Sequence, residues 1–125
     1  MTHILHIDDF KDLSKLMEVL FFEDGVIVDH ADNGQIALAK TSQSNYSLII
    51  TDLDMPLMNG VEFITSFRHS NALTPIVVLS GNQHTPELQS TLSDLGVSAI
   101  FEKPLDNLGD FYSKVLGLIG LKKEL

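Results

Sequence analysis

A chain of 125 residues is long enough for one domain. Hydrophobic residues make up 44% of it, which is enough to form a core. It contains no cysteine, which excludes disulfides, thiolate metal sites and thiol nucleophiles. Seventeen acidic residues against eight basic ones give a net charge of −9, which disfavours binding to nucleic acid. No apolar run approaches the roughly 18 residues of a membrane span, and no signal peptide precedes the first strand-like segment. We therefore predict a cytoplasmic protein without a membrane partner.

Five short apolar segments alternate along the chain with five segments of helical period. The predicted strands are Thr2–Ile7, Val26–Ala31, Ser47–Thr51, Pro75–Ser80 and Ala99–Glu102. The third and fourth of these are apolar on both faces, which is typical of central strands in a parallel sheet. Strict alternation of strand and helix predicts one doubly wound α/β domain over residues 1–125, with helices on both faces of a five-stranded parallel sheet.

Apolar residues at helical spacing predict which side of each helix faces the sheet. The predicted stripes are Leu13, Leu16, Met17 and Leu20 in the first helix, Leu88, Leu92 and Leu95 in the fourth, and Leu108, Phe111 or Tyr112, Val115 and Ile119 in the last. Thr85 followed by Pro86 predicts the start of the fourth helix, and Gly96 predicts its end. We interpret Asn33 and Gly34, after the second strand, as ordinary cap and turn residues.

Polar residues stand at the carboxyl ends of four predicted strands. Asp8 and Asp9 follow the first strand, Asp52 follows the third, Ser80 ends the fourth, and Lys103 follows the fifth. In open α/β sheets, ligands bind beyond the carboxyl ends of the strands. The sequence therefore predicts a site at this edge that gathers three carboxylates, one hydroxyl and one ammonium group.

The residue types in this set point to phosphoryl chemistry. Clustered carboxylates repel one another and require a cation, and hard oxygen ligands favour Mg²⁺. An aspartate carboxylate is a known nucleophile toward phosphoryl groups. A transferring phosphoryl group spreads negative charge over three oxygens, which Mg²⁺, the ammonium group and the hydroxyl could each neutralise in part.

Four motifs in chain order resemble the receiver domain of bacterial response regulators, the CheY-like fold. They are Asp8-Asp9, the string D-L-D-M-P-L-M-N-G at 52–60, Ser80-Gly81, and F-E-K-P at 101–104. The resemblance covers the chain from Ile4 to about Ile119. It implies the strand order 2-1-3-4-5 that is known for this fold.

The same resemblance assigns roles to the acidic residues. Asp52 is similar to the phosphoacceptor of the family, and Asp8 and Asp9 to the acidic pair that holds Mg²⁺. The third protein ligand of the family is the backbone carbonyl two residues after the phosphoacceptor, which is that of Asp54 here. This position is variable in the family, and the acid at Asp54 could slow or redirect dephosphorylation.

The remaining site residues also match the family by position. Ser80 resembles the switch hydroxyl, Lys103 the phosphate-binding lysine, and Phe101 the switch aromatic. The departures are Gly81, where alanine is commoner, and Phe101 itself, which lacks the hydroxyl of a tyrosine. The resemblance implies a phosphoryl donor that is a sensor histidine kinase or a phosphotransfer protein. It also implies output to a protein partner through the fourth helix, the fifth strand and the fifth helix.

Two other functions stay open. The D-L-D of 52–54 also resembles the D-x-D of haloacid-dehalogenase-type phosphatases, but those enzymes carry their acidic pair last, whereas Asp8-Asp9 comes first here. The other alternative is an interaction module that works without phosphorylation. It is disfavoured because no site residue is missing. Taken singly, the site residues could also be helix caps, a turn residue, a solvated lysine and a core phenylalanine, so the assignment depends on the whole set.

The histidines do not predict a metal site. His3 and His6 lie three apart on a strand and therefore point to opposite faces. His30, His69 and His84 are interpreted as isolated, and only His84, in the loop after the fourth strand, is near the candidate site.

Overall fold

The computed structural model describes residues 2–81 and 85–121, and these residues form a five-stranded parallel sheet with helices on both faces. The strands are β1 (Thr2–Ile7), β2 (Val26–Ala31), β3 (Leu48–Thr51), β4 (Ile76–Ser80) and β5 (Ala99–Glu102). Their order is β2-β1-β3-β4-β5. The predicted fold class and strand order are confirmed, and only β3 and β4 begin one residue later than predicted.

The helices divide into two groups that cover opposite faces of the sheet. They are α1 (Lys11–Phe22), α2 (Gly34–Gln43), α3 (Gly60–Ser70), α4 (Pro86–Asp94) and α5 (Leu108–Leu118). Helices α1 and α5 enclose one core cluster with Ile4, Leu48, Ile50 and Leu79. Helices α2, α3 and α4 enclose the other with Leu5, Ile7, Ile49 and Val78. Within the described residues, no helix combines the length and apolar character that crossing a bilayer requires.

The ends of α4 follow the predicted cap residues. The Thr85 side chain accepts a hydrogen bond from the Leu88 amide at 3.1 Å, and Pro86 is the first helical residue. Gly96 follows the helix with a φ of +72°, a backbone conformation that glycine adopts at little cost. Of the nine residues of α4 only Leu92 is buried.

The buried side of α1 differs from the prediction. The residues that face the sheet are Ser14, Met17 and Phe21, while Leu16 is 38% exposed. Leu13 and Leu20 are partly buried at the margins of the cluster. The prediction was wrong for Leu16 because α1 packs against the sheet through the side that carries Phe21, and Leu16 lies away from that side. This aromatic side chain has more apolar area to bury than a leucine has.

In α5 the structure decides between the two aromatic residues that the sequence left open. Phe111 is fully buried, together with Val115 and Leu116. Tyr112 is only partly buried, and its hydroxyl donates to a carboxylate oxygen of Asp24 at 2.6 Å. A tyrosine at the margin of the core can keep its hydroxyl paired in this way, whereas phenylalanine needs no partner.

His30 is not isolated, so this prediction was wrong. In the register of β1 and β2 it lies opposite His6, and the two Nδ1 atoms are 3.4 Å apart. The Nε2 atom of His30 lies 3.0 Å from a carboxylate oxygen of Glu18 in α1. Burial, followed by the charges of His30 and Lys103, lowers the pKa of His6 to about 3. His84 lies outside the described residues.

Arg68 links α3 to the end of α4 and to the segment before β4. Its Nε donates to the carbonyl of Leu95 at 2.8 Å, and its Nη2 donates to that of Gly96 at 3.2 Å. Its Nη1 donates to the carbonyls of Thr74 at 2.8 Å and Asn71 at 3.3 Å. One guanidinium group therefore satisfies four backbone oxygens from two segments.

Candidate functional site

The carboxyl ends of β1 and β3 bring three carboxylates together. Asp8 and Asp9 follow β1, and Asp52 follows β3, its hydrogen-bonded neighbour in the sheet. One carboxylate oxygen from each of the three lies within 4.8 Å of the others. Asp8 and Asp52 are buried, whereas Asp9 is exposed, so the cluster opens to solvent on the side of Asp9.

The two oxygens of Asp52 have different surroundings. Its Oδ1 accepts hydrogen bonds from the amides of Leu53 at 2.7 Å and Asp54 at 3.3 Å. Its Oδ2 lies 3.3 Å from Nζ of Lys103. The Thr51 hydroxyl donates to the backbone carbonyl of Asp52 at 2.8 Å. The carboxylate is therefore held by its own backbone through one oxygen, while the other faces the ammonium group.

Lys103 pairs most closely with Asp8. Its Nζ is 2.6 Å from Oδ2 of Asp8, whose Oδ1 accepts from the Phe10 amide at 2.9 Å. Burial raises the pKa of Asp8 although the lysine opposes the shift, and the nearby charge of Asp52 raises it further. For Lys103, burial alone would lower the pKa. The hydrogen bond to Asp8 and the charges of both carboxylates outweigh burial, so the pKa is raised.

The charge balance and the donor set of this cluster fit a divalent cation. Three carboxylates face one ammonium group, which leaves a net negative charge when all are ionised. Among the described residues, the atoms available in the cluster are carboxylate oxygens, with no histidine nitrogen or thiolate. Hard oxygen ligands of this kind are those that Mg²⁺ prefers.

The loop between β3 and α3 has a tightly constrained backbone. Leu57, which is 77% exposed, has a φ of +69°, a conformation that residues with a Cβ atom rarely adopt. Gly60 begins α3, and a Cβ atom there would overlap the backbone oxygen of Asp52. The glycine thus has a role that the sequence did not indicate, because it allows the first turn of α3 to pack against the backbone of the phosphoacceptor candidate.

The last two candidate residues lie at the ends of β4 and β5. Ser80 is fully buried as the last residue of β4, and its carbonyl accepts from the Lys103 amide at 3.1 Å. Phe101 is partly buried in β5, and its ring packs edge to face against Phe111 with centroids 5.2 Å apart. Phe101 therefore contacts α5, while Ser80 pairs with Glu102 in the strand that precedes Lys103.

A family model supports the class of protein that this fold and site suggest. The model described as the response regulator receiver domain matches residues 4–112. The chain therefore belongs to the receiver domain family, and it is a receiver domain of a response regulator in two-component signalling.

Among curated relatives, the chain is 33% identical over 106 residues to response regulator ArlR of Staphylococcus haemolyticus, which covers 85% of this chain and 48% of the relative. The chain thus spans about half the length of the ArlR relatives that it matches.

Solved structures agree with this assignment. Chemotaxis response regulator CheY4 of Vibrio cholerae is 27% identical with a TM-score of 0.81, and the match covers 95% of this chain and 98% of the other. Response regulator protein TrrA of Thermotoga maritima, solved in complex with Mg²⁺ and BeF, is 30% identical with a TM-score of 0.80. That match covers 94% of this chain and 99% of the other.

Proposed function

We propose that the chain accepts a phosphoryl group on Asp52 with the help of Mg²⁺ and passes the signal to a protein partner. The observation that carries the proposal is the asymmetry of Asp52. Its Oδ1 is occupied by two backbone amides, whereas its Oδ2 faces Nζ of Lys103 beside two further carboxylates. The ammonium group beside this oxygen lies where it can neutralise the phosphoryl oxygens of a donor and bring the phosphorus atom within reach of the carboxylate.

The proposed step is a transfer from a phosphohistidine. The Oδ2 atom of Asp52 forms a bond to phosphorus while the bond from phosphorus to the donor's imidazole nitrogen breaks. The electron pair of the broken bond stays on the imidazole nitrogen. Because the other nitrogen of the phosphorylated ring carries a proton, the imidazole that leaves is neutral. The Lys103 ammonium group and the Ser80 hydroxyl would neutralise charge on the phosphoryl oxygens.

We assign the cation site to Asp8, Asp9, Asp52 and the backbone carbonyl of Asp54. A bound Mg²⁺ would neutralise negative charge on the carboxylates and on the phosphoryl group. The proximity of the three carboxylates supports this, as does the Mg²⁺ complex of the Thermotoga relative. The Asp54 side chain is exposed, where it would affect the approach of water rather than bind the cation.

A sensor histidine kinase or a phosphotransfer protein is the proposed donor, and the cytoplasm is the proposed compartment. The output surface is proposed to consist of α4, β5 and α5, with Ser80 and Phe101 as the residues that change when Asp52 is modified. The contact between Phe101 and Phe111 supports this route, since it connects β5 directly to α5. Beyond its own phosphorylation and dephosphorylation we propose no enzymatic activity.

The experiment is incubation with Mg²⁺ and acetyl phosphate, followed by intact mass measurement. We expect one alkali-labile phosphoryl group on the wild-type chain and none on Asp52→Asn. Asp54→Asn is the matched control, because it removes an exposed carboxylate two residues away and should still be modified. Equal modification of Asp52→Asn and the wild type would show that the site is elsewhere. Rapid turnover of a generic phosphate ester would favour the phosphatase alternative.

A further inference from the structure

The loop between β3 and α3 contacts the first turn of α2, an element that contributes no residue to the proposed site. The backbone amide of Gly34 donates to the carbonyl of Met58 at 3.2 Å. Gly34 is buried, and a Cβ atom added there would lie 2.7 Å from Cγ of Met58 and 2.9 Å from its carbonyl oxygen. The loop and the helix can therefore approach this closely only because residue 34 is glycine.

The hydrogen bond from Gly34 has a clear physical origin. The first amides of a helix have no carbonyl partner within the helix. In α2 the Asn33 side chain accepts from the Ile36 amide at 3.0 Å. The Gly34 amide is directed to Met58 instead, so one of the unpaired donors of α2 fixes the position of the loop.

The rest of the loop makes this contact important for the site. Leu57 has a positive φ, and the Met58 amide donates to the carbonyl of Pro56 at 2.8 Å, so the backbone turns sharply just before the contact. At one end the loop carries Asp54. At the other it is fixed by Asn59, whose side chain accepts from the Glu62 amide at 2.9 Å.

We propose that Gly34 is a positioning residue for the phosphorylation site, which acts through Met58 on the loop that carries the Asp54 carbonyl. The inference rests on the proposed function, because that carbonyl is assigned there as a ligand of Mg²⁺. Gly34 itself touches neither the cation nor the phosphoryl group. A side chain at residue 34 displaces the loop and moves the carbonyl away from the three carboxylates.

The test compares Gly34→Ala with Gly117→Ala. Both glycines are helical, but a Cβ atom at Gly117 has none of the described residues within 4 Å, so this matched control changes the helix without a collision with them. We measure Mg²⁺ affinity by calorimetry, the rate of modification by acetyl phosphate, and Tm. Gly34→Ala should weaken Mg²⁺ binding about 10- to 100-fold, the range for residues that orient ligands. Gly117→Ala should retain the wild-type affinity.

A second measurement separates positioning from a general loss of stability. In Gly34→Ala, saturating Mg²⁺ should restore the modification rate toward that of the wild type, whatever the change in Tm. Wild-type affinity in Gly34→Ala, or a modification rate that stays low at saturating Mg²⁺, would overturn the inference. Absence of Mg²⁺ binding in the wild type would instead overturn the proposed function, and this inference with it.

Discussion

Within the described residues, Leu57 is the one residue other than glycine that has a positive φ. A left-handed conformation costs a residue with a Cβ atom roughly 1–2 kcal/mol. Replacement by glycine removes this cost, but it also increases the entropy of the unfolded chain, which costs roughly 0.4–1 kcal/mol. Because Leu57 is 77% exposed, little packing is lost. Leu57→Gly should therefore increase the free energy of unfolding by about 0.5–1 kcal/mol.

Leu73 provides a matched control for this prediction. It is a leucine in a loop, 92% exposed, and it has no positive φ. Leu73→Gly carries the entropy cost without any relief of the backbone, so it should decrease the free energy of unfolding by roughly 0.4–1 kcal/mol. The difference between the two variants isolates the cost of the conformation at residue 57.

Urea unfolding monitored by circular dichroism can measure both changes as shifts in the midpoint at constant m-value. For a chain of this size the increase for Leu57→Gly corresponds to roughly 2–4 °C in Tm. If Leu57→Gly and Leu73→Gly destabilise the protein equally, the conformation at residue 57 stores no free energy, and the reasoning is wrong.

Three further predictions concern the site, the buried histidine and the output surface. Lys103→Ala should still bind Mg²⁺ with modestly lower affinity, while the rate of its modification by acetyl phosphate falls about 100-fold. A wild-type rate of modification in this variant would exclude the proposed role of Lys103. The lowered pKa of His6 means that the unfolded chain binds more protons below pH 6.5, so acid destabilises the native state. Between pH 6.5 and 5 the free energy of unfolding should fall by about 2 kcal/mol. His6→Leu should reduce this fall, whereas His69→Gln, a control at an exposed residue, should leave it unchanged. Beryllofluoride should shift amide NMR signals in residues 85–95 and 105–115; shifts confined to the loops around the carboxylates would contradict the proposed output surface.

Much of the fold could be predicted from local pattern. The alternation of apolar strands and amphipathic helices determines the fold class, and cap residues such as Thr85 and Gly96 mark helix ends because their chemistry acts on the nearest turn. Asp8, Asp52, Ser80 and Lys103 could be named because each directly follows or ends a strand, and parallel strands end at one edge of the sheet. The strand order required the family resemblance, and the single domain over residues 1–125 stays a prediction.

The features that the sequence did not reveal depend on contacts between distant segments. The pair of His6 and His30 depends on the register of β1 against β2, which no local pattern specifies. The contact of Gly34 with Met58 joins the first turn of α2 to the loop between β3 and α3, and an Asn-Gly pair at the start of a helix is equally typical of an ordinary cap. Leu16 was assigned to the core because its spacing fits a stripe, but spacing does not decide between overlapping stripes on one helix.

The hydrogen bonds of Arg68 have a consequence for recognition at the surface. This residue is the only arginine in the sequence, and its guanidinium group donates to four backbone carbonyls within the fold. The other seven basic residues are lysines, which act as point charges without a planar pair of donors. A bidentate pair across an interface joins a guanidinium group to a carboxylate. In a complex with this chain the arginine must therefore come from the partner, and the seventeen acidic residues of this chain can supply the carboxylate.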